Sequence, residues 1–250
     1  MATSPSATPV VKHSSDNPLL TLREVHAYLG QSHILQGISF DVETARTTVL
    51  LGRNGAGKST TLRTIMGIVG AARGSIMIGT EELRGRPAHL VARHGIGFVP
   101  EDREVFASLS VEENLKLAQR RGSRDGEAGV ERALGLFPDL RPARRRSAGA
   151  LSGGQQQMLA IARALINPTR VLLVDEPTKG LAPIIVQQLA SLFQRLRDAG
   201  ETILLVEQNL QFARLVGDRF FILDEGRIVH GGAMSDLDHR PELLQRYIGV

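Results

Sequence analysis

The chain is 250 residues long and 42% of its residues are hydrophobic, which suits one globular unit with a sizeable core. It contains no cysteine, so disulfide frameworks and cysteine-based metal sites are excluded. The net charge of +4 comes almost entirely from arginine, and it fits a solvated basic surface as well as a nucleic-acid or lipid contact.

The first 18 residues differ in composition from the rest. They are rich in Ser, Thr and Pro and lack the apolar segment of a signal peptide, so residues 1–18 are predicted to be a disordered tail. Residues 19–250 are predicted to form one domain. Its apolar runs are far shorter than the ~20 residues that a membrane-spanning helix requires, and we expect the chain to reside in the cytoplasm.

Short runs typical of β-strands fill the first part of this domain. The predicted strands are 20–22, 38–42, 47–51 and 75–78. Apolar residues recur at helical spacing between the last two of these strands, which predicts a helix there. The order is therefore strand, glycine-rich loop and helix.

The middle and the end of the domain follow two different patterns. A polar, helical stretch predicts a small helical lobe at about residues 104–165. Strand and helix patterns then alternate, with predicted strands at 171–175, 202–206, 220–223 and 228–229, and helices at 183–198, 210–216 and about 241–247. The alternation indicates an α/β fold whose sheet is mostly parallel and covered by helices.

A glycine-rich motif follows the strand at residues 47–51. The segment Gly52-Arg53-Asn54-Gly55-Ala56-Gly57-Lys58-Ser59, the phosphate loop, matches G-x-x-x-x-G-K-[ST] and leads into Thr60. Its glycines let backbone N–H groups turn toward phosphate oxygens, the following helix directs its positive end at them, and Lys58 adds a full charge. Ser59 offers a hydroxyl to Mg²⁺. The motif alone indicates a nucleoside triphosphate, which leaves kinases, GTPases and motor ATPases open.

Two carboxylates end the predicted strand at residues 171–175. Asp175 is placed at the carboxyl edge of the sheet, where it can hold Mg²⁺ directly or through water. Glu176 can orient and polarise an attacking water as a general base. A solvated acidic turn would be the simpler interpretation of this segment alone, but the phosphate loop favours the catalytic one.

A third motif, Leu151-Ser152-Gly153-Gly154-Gln155, precedes a predicted helix and is called the signature motif below. Ser152 is a suitable N-cap, and capping is one interpretation of the segment. Two glycines in the first helical turn cost roughly 1 kcal/mol each relative to alanine, so the bare backbone requires a reason. A phosphate approaching the N–H groups is such a reason.

These three motifs, in this order and spacing, resemble the nucleotide-binding subunits of ABC (ATP-binding cassette) proteins over about residues 19–250. The resemblance implies a P-loop NTPase cassette with a mostly parallel core sheet, an N-terminal antiparallel β subdomain and a helical lobe, which hydrolyses ATP with Mg²⁺. It also implies that two cassettes close head to tail, with Ser152 and Gly154 of one touching the γ-phosphate bound by the other. A lone chain is then expected to be a poor ATPase.

Three positions depart from the usual pattern of that family. Glu101 replaces a glutamine, and its carboxylate can still reach Mg²⁺ or water. Gln208 replaces a histidine; it can hydrogen-bond the γ-phosphate but cannot titrate near neutral pH. Ala182 replaces an aspartate that couples the two cassettes. The predicted catalytic residues are Glu176, as the base, with Gln208 and Lys58.

The aromatic residue that stacks on adenine in this family normally precedes a glycine. Here Leu29 precedes Gly30, and Tyr28 lies one position earlier. Because successive strand residues face opposite sides, two hypotheses stay open: Tyr28 stacks on adenine, or it faces away from the nucleotide.

The departures at Glu101, Ala182 and Gln208 resemble the shorter of the two ATPase subunits in importers of branched-chain amino acids and related amides. That resemblance implies two transmembrane permease subunits, a second ATP-binding subunit and a periplasmic substrate-binding protein that acts indirectly. The second ATP-binding subunit is expected to be non-identical, although a homodimer stays open. It places the chain at the cytoplasmic face of the inner membrane as a peripheral subunit. By the same resemblance, Phe106, Leu109 and Val111 either contact a permease helix or pack within the lobe.

Two other functions are open to a chain with these motifs. A soluble ABC ATPase acting on nucleic acid or the ribosome is disfavoured. DNA-repair members of the family carry long coiled-coil insertions between the phosphate loop and the signature motif, whereas here Lys58 and Ser152 are only 94 positions apart (152 − 58). Ribosome-associated members usually fuse two cassettes, and this chain has one. The chain also has no Trp and two Tyr for base stacking, and no nucleic-acid partner is expected. An exporter cassette is disfavoured only by the resemblance.

Overall fold

The computed structural model describes residues 18–120 and 126–249, which form ten strands and eight α-helices. The strands are β1 (Pro18–Leu29), β2 (Ser32–Glu43), β3 (Thr47–Leu51), β4 (Ala71–Ile78), β5 (Glu81–Glu82), β6 (Ile96–Val99), β7 (Val171–Asp175), β8 (Ile203–Glu207), β9 (Arg219–Asp224) and β10 (Arg227–Ala233). The helices are α1 (Lys58–Ile65), α2 (Ala88–Arg93), α3 (Val111–Ala118), α4 (Gly126–Leu136), α5 (Gly153–Leu165), α6 (Pro183–Asp198), α7 (Leu210–Val216) and α8 (Pro241–Tyr247). The predicted tail lies outside the described residues except for Pro18, which begins β1.

The larger sheet has the strand order β10-β9-β3-β8-β7-β6, in which all neighbours run parallel except the antiparallel pair β9 and β10. Strand β7 shows why its sequence is continuously apolar. All five of its residues are buried, with Leu172 and Val174 in one core cluster and Leu173 in the other. A strand covered on both faces requires such a run. Parallel pairing also brings the carboxyl ends of β3, β7 and β8 to one edge.

The smaller sheet is antiparallel, with the order β2-β1-β4-β5. Its strands alternate as a half-buried sheet requires: Leu20 and Leu22 are buried, whereas Thr21 and Arg23 are partly exposed. The rings of Phe40 and Phe221, 5.3 Å apart, join the two sheets through a shared core. The pairing of β1 with β2 shifts at several points, including the step from residue 27 to 28.

Helices fill much of the described chain between β6 and β7. Helix α3 begins with a capping box, in which Ser110 Oγ accepts a hydrogen bond from the Glu113 backbone N–H and the Glu113 carboxylate accepts one from the Ser110 N–H. Arg144 joins the helices by donating to Glu112 at 2.7 Å and to Glu131 at 2.6 Å. The hydrogen bond from Arg144 is the main cause that lowers the pKa of Glu112 to about 2.

The predicted fold class is confirmed: the core sheet is mostly parallel, the N-terminal sheet is antiparallel, and helices cover them. Helices α6, α7 and α8 begin and end at the predicted residues. Strands β1 and β2 are longer than predicted because pairing continues across the irregular steps. The sequence analysis missed α2 and β6, which have only six and four residues. No helix of the described residues is long and apolar enough to span a membrane.

Candidate active site

The phosphate loop joins β3 to α1 at the carboxyl edge of the larger sheet. Helix α1 begins at Lys58, and its N-cap Gly57 has a φ of 108°, a conformation that favours glycine. At Gly52, an added Cβ would lie 2.3 Å from the backbone oxygen of Leu223, so the loop packs directly against the end of β9. Glycine therefore permits both the turn and the close packing that places the start of α1 at the site.

The lysine of the loop is buried and paired. Lys58 is 4% exposed, and its Nζ lies 2.9 Å from the Gly52 oxygen, 3.3 Å from the Arg53 oxygen and 3.2 Å from Glu176 Oε1. Glu176, the predicted base, is itself only 11% exposed. The structure thus brings two predicted catalytic side chains together as an ion pair, and a bound phosphate would compete with the carboxylate for the ammonium group.

Asp175 and Ser59 are also in contact, as expected for a shared metal site. Ser59 Oγ donates a hydrogen bond to Asp175 Oδ1 at 2.9 Å, whereas the buried Oδ2 has no hydrogen-bond partner among the described residues. Burial raises the pKa of Asp175 to about 6, the hydrogen bond from Ser59 opposes this shift, and the nearby Glu176 and Glu101 charges add to it. Hard oxygen donors and an unpaired buried carboxylate oxygen fit a divalent cation such as Mg²⁺.

Two adjoining clefts open beside the phosphate loop. The first has a volume of about 320 Å³ and is lined by Leu29, Ile34, Asn54, Gly55, Gly57, Lys58, Ser59, Thr60, Glu101, Glu176 and Lys179. The second has a volume of about 280 Å³ and is lined by Asn54, Glu176, Thr178, Lys179, Glu207, Gln208 and Asn209. Glu176 lines both, so the predicted base lies between the phosphate loop and Gln208.

Three residues of the phosphate loop, Gly52, Arg53 and Ala56, hold the loop in place by backbone hydrogen bonds and burial. Gly52 and Arg53 contribute the backbone oxygens that hold Lys58. Ala56 is buried, and its oxygen accepts a hydrogen bond of 3.0 Å from the Gly226 N–H. These residues fix the shape of the loop without lining the two clefts.

The structure places Leu29, not Tyr28, beside the phosphate loop. The Tyr28 ring stacks on His33 with ring centroids 4.3 Å apart and planes at 10°, whereas Leu29 and Ile34 line the first cleft. Tyr28 does not line the first cleft, because adjacent strand residues face opposite sides. The hypothesis that it stacks on adenine stays a prediction.

The signature motif lies at the start of α5 and lines neither of the two clefts. Ser152 Oγ accepts a hydrogen bond from the Gln155 N–H at 3.2 Å, and Gln155 Oε1 accepts one from the Ser152 N–H at 3.1 Å. An added Cβ at Gly154 would lie 2.6 Å from the side chain of Ile185 in α6, and one at Gly153 would lie 3.2 Å from Arg103 Nη1. Packing therefore gives a second reason for Gly154, besides the approach of a phosphate.

The sequence analysis missed two basic residues that are linked to Glu101, Lys179 directly and Arg103 through Lys179. The Glu101 carboxylate forms an ion pair with Lys179. Arg103 donates through Nε to Gln157 at 3.2 Å and through Nη2 to the backbone oxygen of Lys179 at 3.4 Å. The predicted metal ligand Glu101 is thus held by a lysine, and Arg103 connects that lysine to helix α5. Lys179, four residues after Asp175, could have been found by its place beside the acidic motif.

Comparison with known proteins identifies the family. The ABC transporter family profile matches residues 35–179. The high-affinity branched-chain amino acid transport ATP-binding protein BraG of Pseudomonas aeruginosa is 42% identical over 92% of this chain and 100% of BraG. The probable branched-chain amino acid transport ATP-binding protein LivF of Archaeoglobus fulgidus is 37% identical over 93% of this chain and 99% of LivF. The lipopolysaccharide export system ATP-binding protein LptB of Escherichia coli is 32% identical over 89% of this chain and 93% of LptB.

A solved structure agrees with this family. The dimeric structure of MJ0796, a bacterial ABC transporter cassette, is 26% identical with a TM-score of 0.76 and covers 86% of this chain and 98% of that one. Cassettes of this family bind ATP or ADP, dimerise and work with transmembrane permease components. The motifs, the paired side chains around the phosphate loop and the relatives all agree, and the chain therefore belongs to the ABC transporter family as one of its ATP-hydrolysing cassettes.

Proposed function

We propose that the chain powers an importer of branched-chain amino acids or related amides. The observation that carries the proposal is the 42% identity to BraG over the full length of that protein. The residues Glu101, Ala182 and Gln208 support it, since they resemble the shorter ATPase subunit of such importers. The exporter subunit LptB is less similar, at 32% identity.

The proposed site residues have distinct roles in hydrolysis. Residues 52–60 bind the phosphates of ATP, with Lys58 supplying the charge. A water attacks the γ-phosphorus, the bond to the β,γ-bridging oxygen breaks, and ADP and phosphate leave while Glu176 accepts a proton from the water. Gln208 contacts the γ-phosphate from the second cleft. The position of Glu176 between Lys58 and the cleft that Gln208 lines supports this assignment.

Ser59, Asp175 and Glu101 are the residues that we propose for Mg²⁺. When bound, the cation would compensate the negative charge of the phosphates. The contact between Ser59 and Asp175 supports this set directly. Glu101 supports it less directly, because its carboxylate has to leave Lys179 before it can reach a metal or its water.

The proposed assembly contains two cassettes and two transmembrane permease subunits. One cassette spans residues 19–250 of this chain and closes head to tail with a second ATP-binding subunit, so that Ser152, Gly153, Gly154 and Gln155 meet the partner's nucleotide. A periplasmic substrate-binding protein delivers the substrate. The chain then acts as a peripheral subunit at the cytoplasmic face of the inner membrane. The location of the signature motif outside the chain's own clefts supports closure between chains.

Affinity purification from solubilised membranes of the host tests this assembly, combined with leucine uptake by cells that carry Lys58→Ala. We expect permease and binding-protein subunits of an importer to copurify, and uptake to be lost in the variant. Arg214→Ala, which removes a partly exposed cation paired with Asp238, serves as the control and is expected to retain uptake. Copurification of an exporter permease, or ATPase activity that responds to nucleic acid, would contradict the proposal, as would full uptake in Lys58→Ala.

A further inference from the structure

Glu207, the last residue of β8, buries a carboxylate beside the active site. It is 2% exposed, and each of its oxygens accepts two hydrogen bonds. Oε1 accepts from the Thr178 N–H at 3.2 Å and from the Thr178 hydroxyl at 2.7 Å, and Oε2 accepts from the N–H groups of Gln208 and Asn209, both at 2.9 Å. Burial raises the pKa of Glu207, and these hydrogen bonds oppose the shift. All four donors suit a carboxylate that stays ionised.

The first oxygen holds the turn that carries Glu176. Glu176 has a φ of 41°, which is uncommon for a residue with a side chain and persists only where neighbouring groups enforce it. The turn closes with a hydrogen bond from the Lys179 N–H to the Glu176 oxygen at 3.2 Å, and the Glu176 N–H donates to the Val206 oxygen at 2.9 Å. Thr178 lies in this turn, so its two hydrogen bonds to Glu207 hold the turn at the end of β8.

The second oxygen holds the loop that carries Gln208. Its two donors, Gln208 and Asn209, connect β8 to α7. Asn209 is also the N-cap of α7, where its side chain accepts from the Phe212 N–H at 3.1 Å. The backbone of Gln208 is therefore fixed between the end of a strand and the start of a helix, while Gln208 lines the second cleft.

The distribution of these partners argues against a purely structural role. Glu207 accepts its four hydrogen bonds from two loops, and both loops line the second cleft with Glu176. We propose that Glu207 is a positioning residue for ATP hydrolysis, whose carboxylate couples the turn of Glu176 to the loop of Gln208. The inference rests on the roles proposed above for Glu176 and Gln208.

Steady-state hydrolysis by the assembled transporter, in which the chain is purified with its partner cassette and permease subunits, tests this coupling with Glu207→Gln. Glutamine has the same shape, but its NH₂ group would face either the N–H groups of Gln208 and Asn209 or the N–H of Thr178, and a donor facing a donor breaks one of the two loop contacts. Because hydrogen bonds to charged groups are strong, we expect kcat to fall about 10- to 100-fold. The KM for ATP should change less than about threefold, because the phosphate loop is untouched.

Conservative variants separate positioning from loss of fold. Thr178→Val removes one donor and is expected to lower kcat, whereas Thr178→Ser keeps the hydroxyl and should retain it. Asp218→Asn is the matched control at the opposite edge of the same sheet, where Asp218 accepts from the Thr47 N–H at 2.8 Å. It should leave kcat unchanged. The comparison of Thr178→Val with Thr178→Ser still tests the positioning role if Glu207→Gln does not fold.

Hydrolysis by Glu176→Gln distinguishes failure of this inference from failure of the proposed site. If Glu176→Gln is inactive while Glu207→Gln and Thr178→Val keep a wild-type kcat, the positioning role is overturned and the proposed site stands. An equal fall in kcat in Asp218→Asn would also overturn the positioning role, because a general loss of stability would then explain the fall in both variants. Full activity in Glu176→Gln would overturn the proposed base and this inference with it.

Discussion

Neutralising Glu176 is expected to tighten ATP binding, in addition to stopping hydrolysis. Its carboxylate lies 3.2 Å from Lys58 Nζ, and the two side chains are only 11% and 4% exposed. When ATP binds, the ammonium group has to exchange this carboxylate for a phosphate, so the free energy of the ion pair is subtracted from the affinity. Glu176→Gln keeps the shape of the side chain and removes its charge.

The geometry of this ion pair sets the expected size of the effect. At an effective dielectric of 20, two unit charges at the observed 3.2 Å attract by about 5 kcal/mol before desolvation is counted. The ammonium group stays charged in Glu176→Gln, so its hydrogen bond to glutamine is still charge-assisted and only the attraction between two charges is lost, which desolvation reduces to about 1–2 kcal/mol. That loss corresponds to a gain of roughly 5- to 30-fold in ATP affinity.

Equilibrium titration with a fluorescent ATP analogue, in EDTA to exclude metal effects, measures this gain. Glu101→Gln is the matched control, because it removes one negative charge from the same cleft and leaves the pair of Lys58 and Glu176 intact. We expect Glu101→Gln to bind ATP less tightly than Glu176→Gln. In a Lys58→Met background, the substitution at Glu176 should lose most of its effect.

Two results would refute this reasoning. Equal affinity of wild type and Glu176→Gln would mean that the ion pair with Lys58 does not oppose ATP binding. An equal gain in Glu101→Gln would mean that the cleft repels phosphate through its total charge, without a specific role for the pair.

Two further predictions concern packing and acid stability. Gly52→Ala should lower the free energy of unfolding in urea by ~1–3 kcal/mol, since its Cβ would lie 2.3 Å from the Leu223 oxygen. Gly55→Ala, with no atom within 4 Å, should cost only ~1–2 kcal/mol of backbone strain, and wild-type stability in Gly52→Ala would contradict the packing. Because the folded pKa of Glu112 is about 2 against an ordinary 4.5, its stabilisation is present above pH 4.5 and lost as the pH falls toward 2. Thermal unfolding of wild type and Arg144→Met should therefore converge across that window, and a constant difference would show that another group dominates.

Much of the site could be predicted because its residues are close in sequence to a strand or helix end. A glycine-rich turn followed by a helix places Lys58 and Ser59 together, and the end of a buried strand places Asp175 and Glu176 together. Parallel pairing, itself predicted from alternating elements, brings these two segments and Gln208 to one edge of the sheet. Local sequence pattern and sheet topology were therefore sufficient to predict that these residues meet at one edge of the sheet.

The rest depends on contacts between residues that are far apart in sequence. Glu207 binds Thr178, 29 positions away, and looks in the sequence like an ordinary polar residue after a strand. Arg103 reaches Gln157, 54 positions away. Which of Tyr28 and Leu29 lines the first cleft depends on the direction in which the end of β1 faces, a choice that the alternation of strand residues leaves open in the sequence.

The capping of α5 within the chain has a thermodynamic consequence. The side chains of Ser152 and Gln155 already accept each other's backbone N–H groups. In the proposed head-to-tail pair, a phosphate of the facing cassette would exchange these hydrogen bonds for others, and such an exchange releases little net free energy. Contact through these groups would consequently be easy to reverse, so the proposed pair of cassettes could separate without a large free-energy cost at the signature motif.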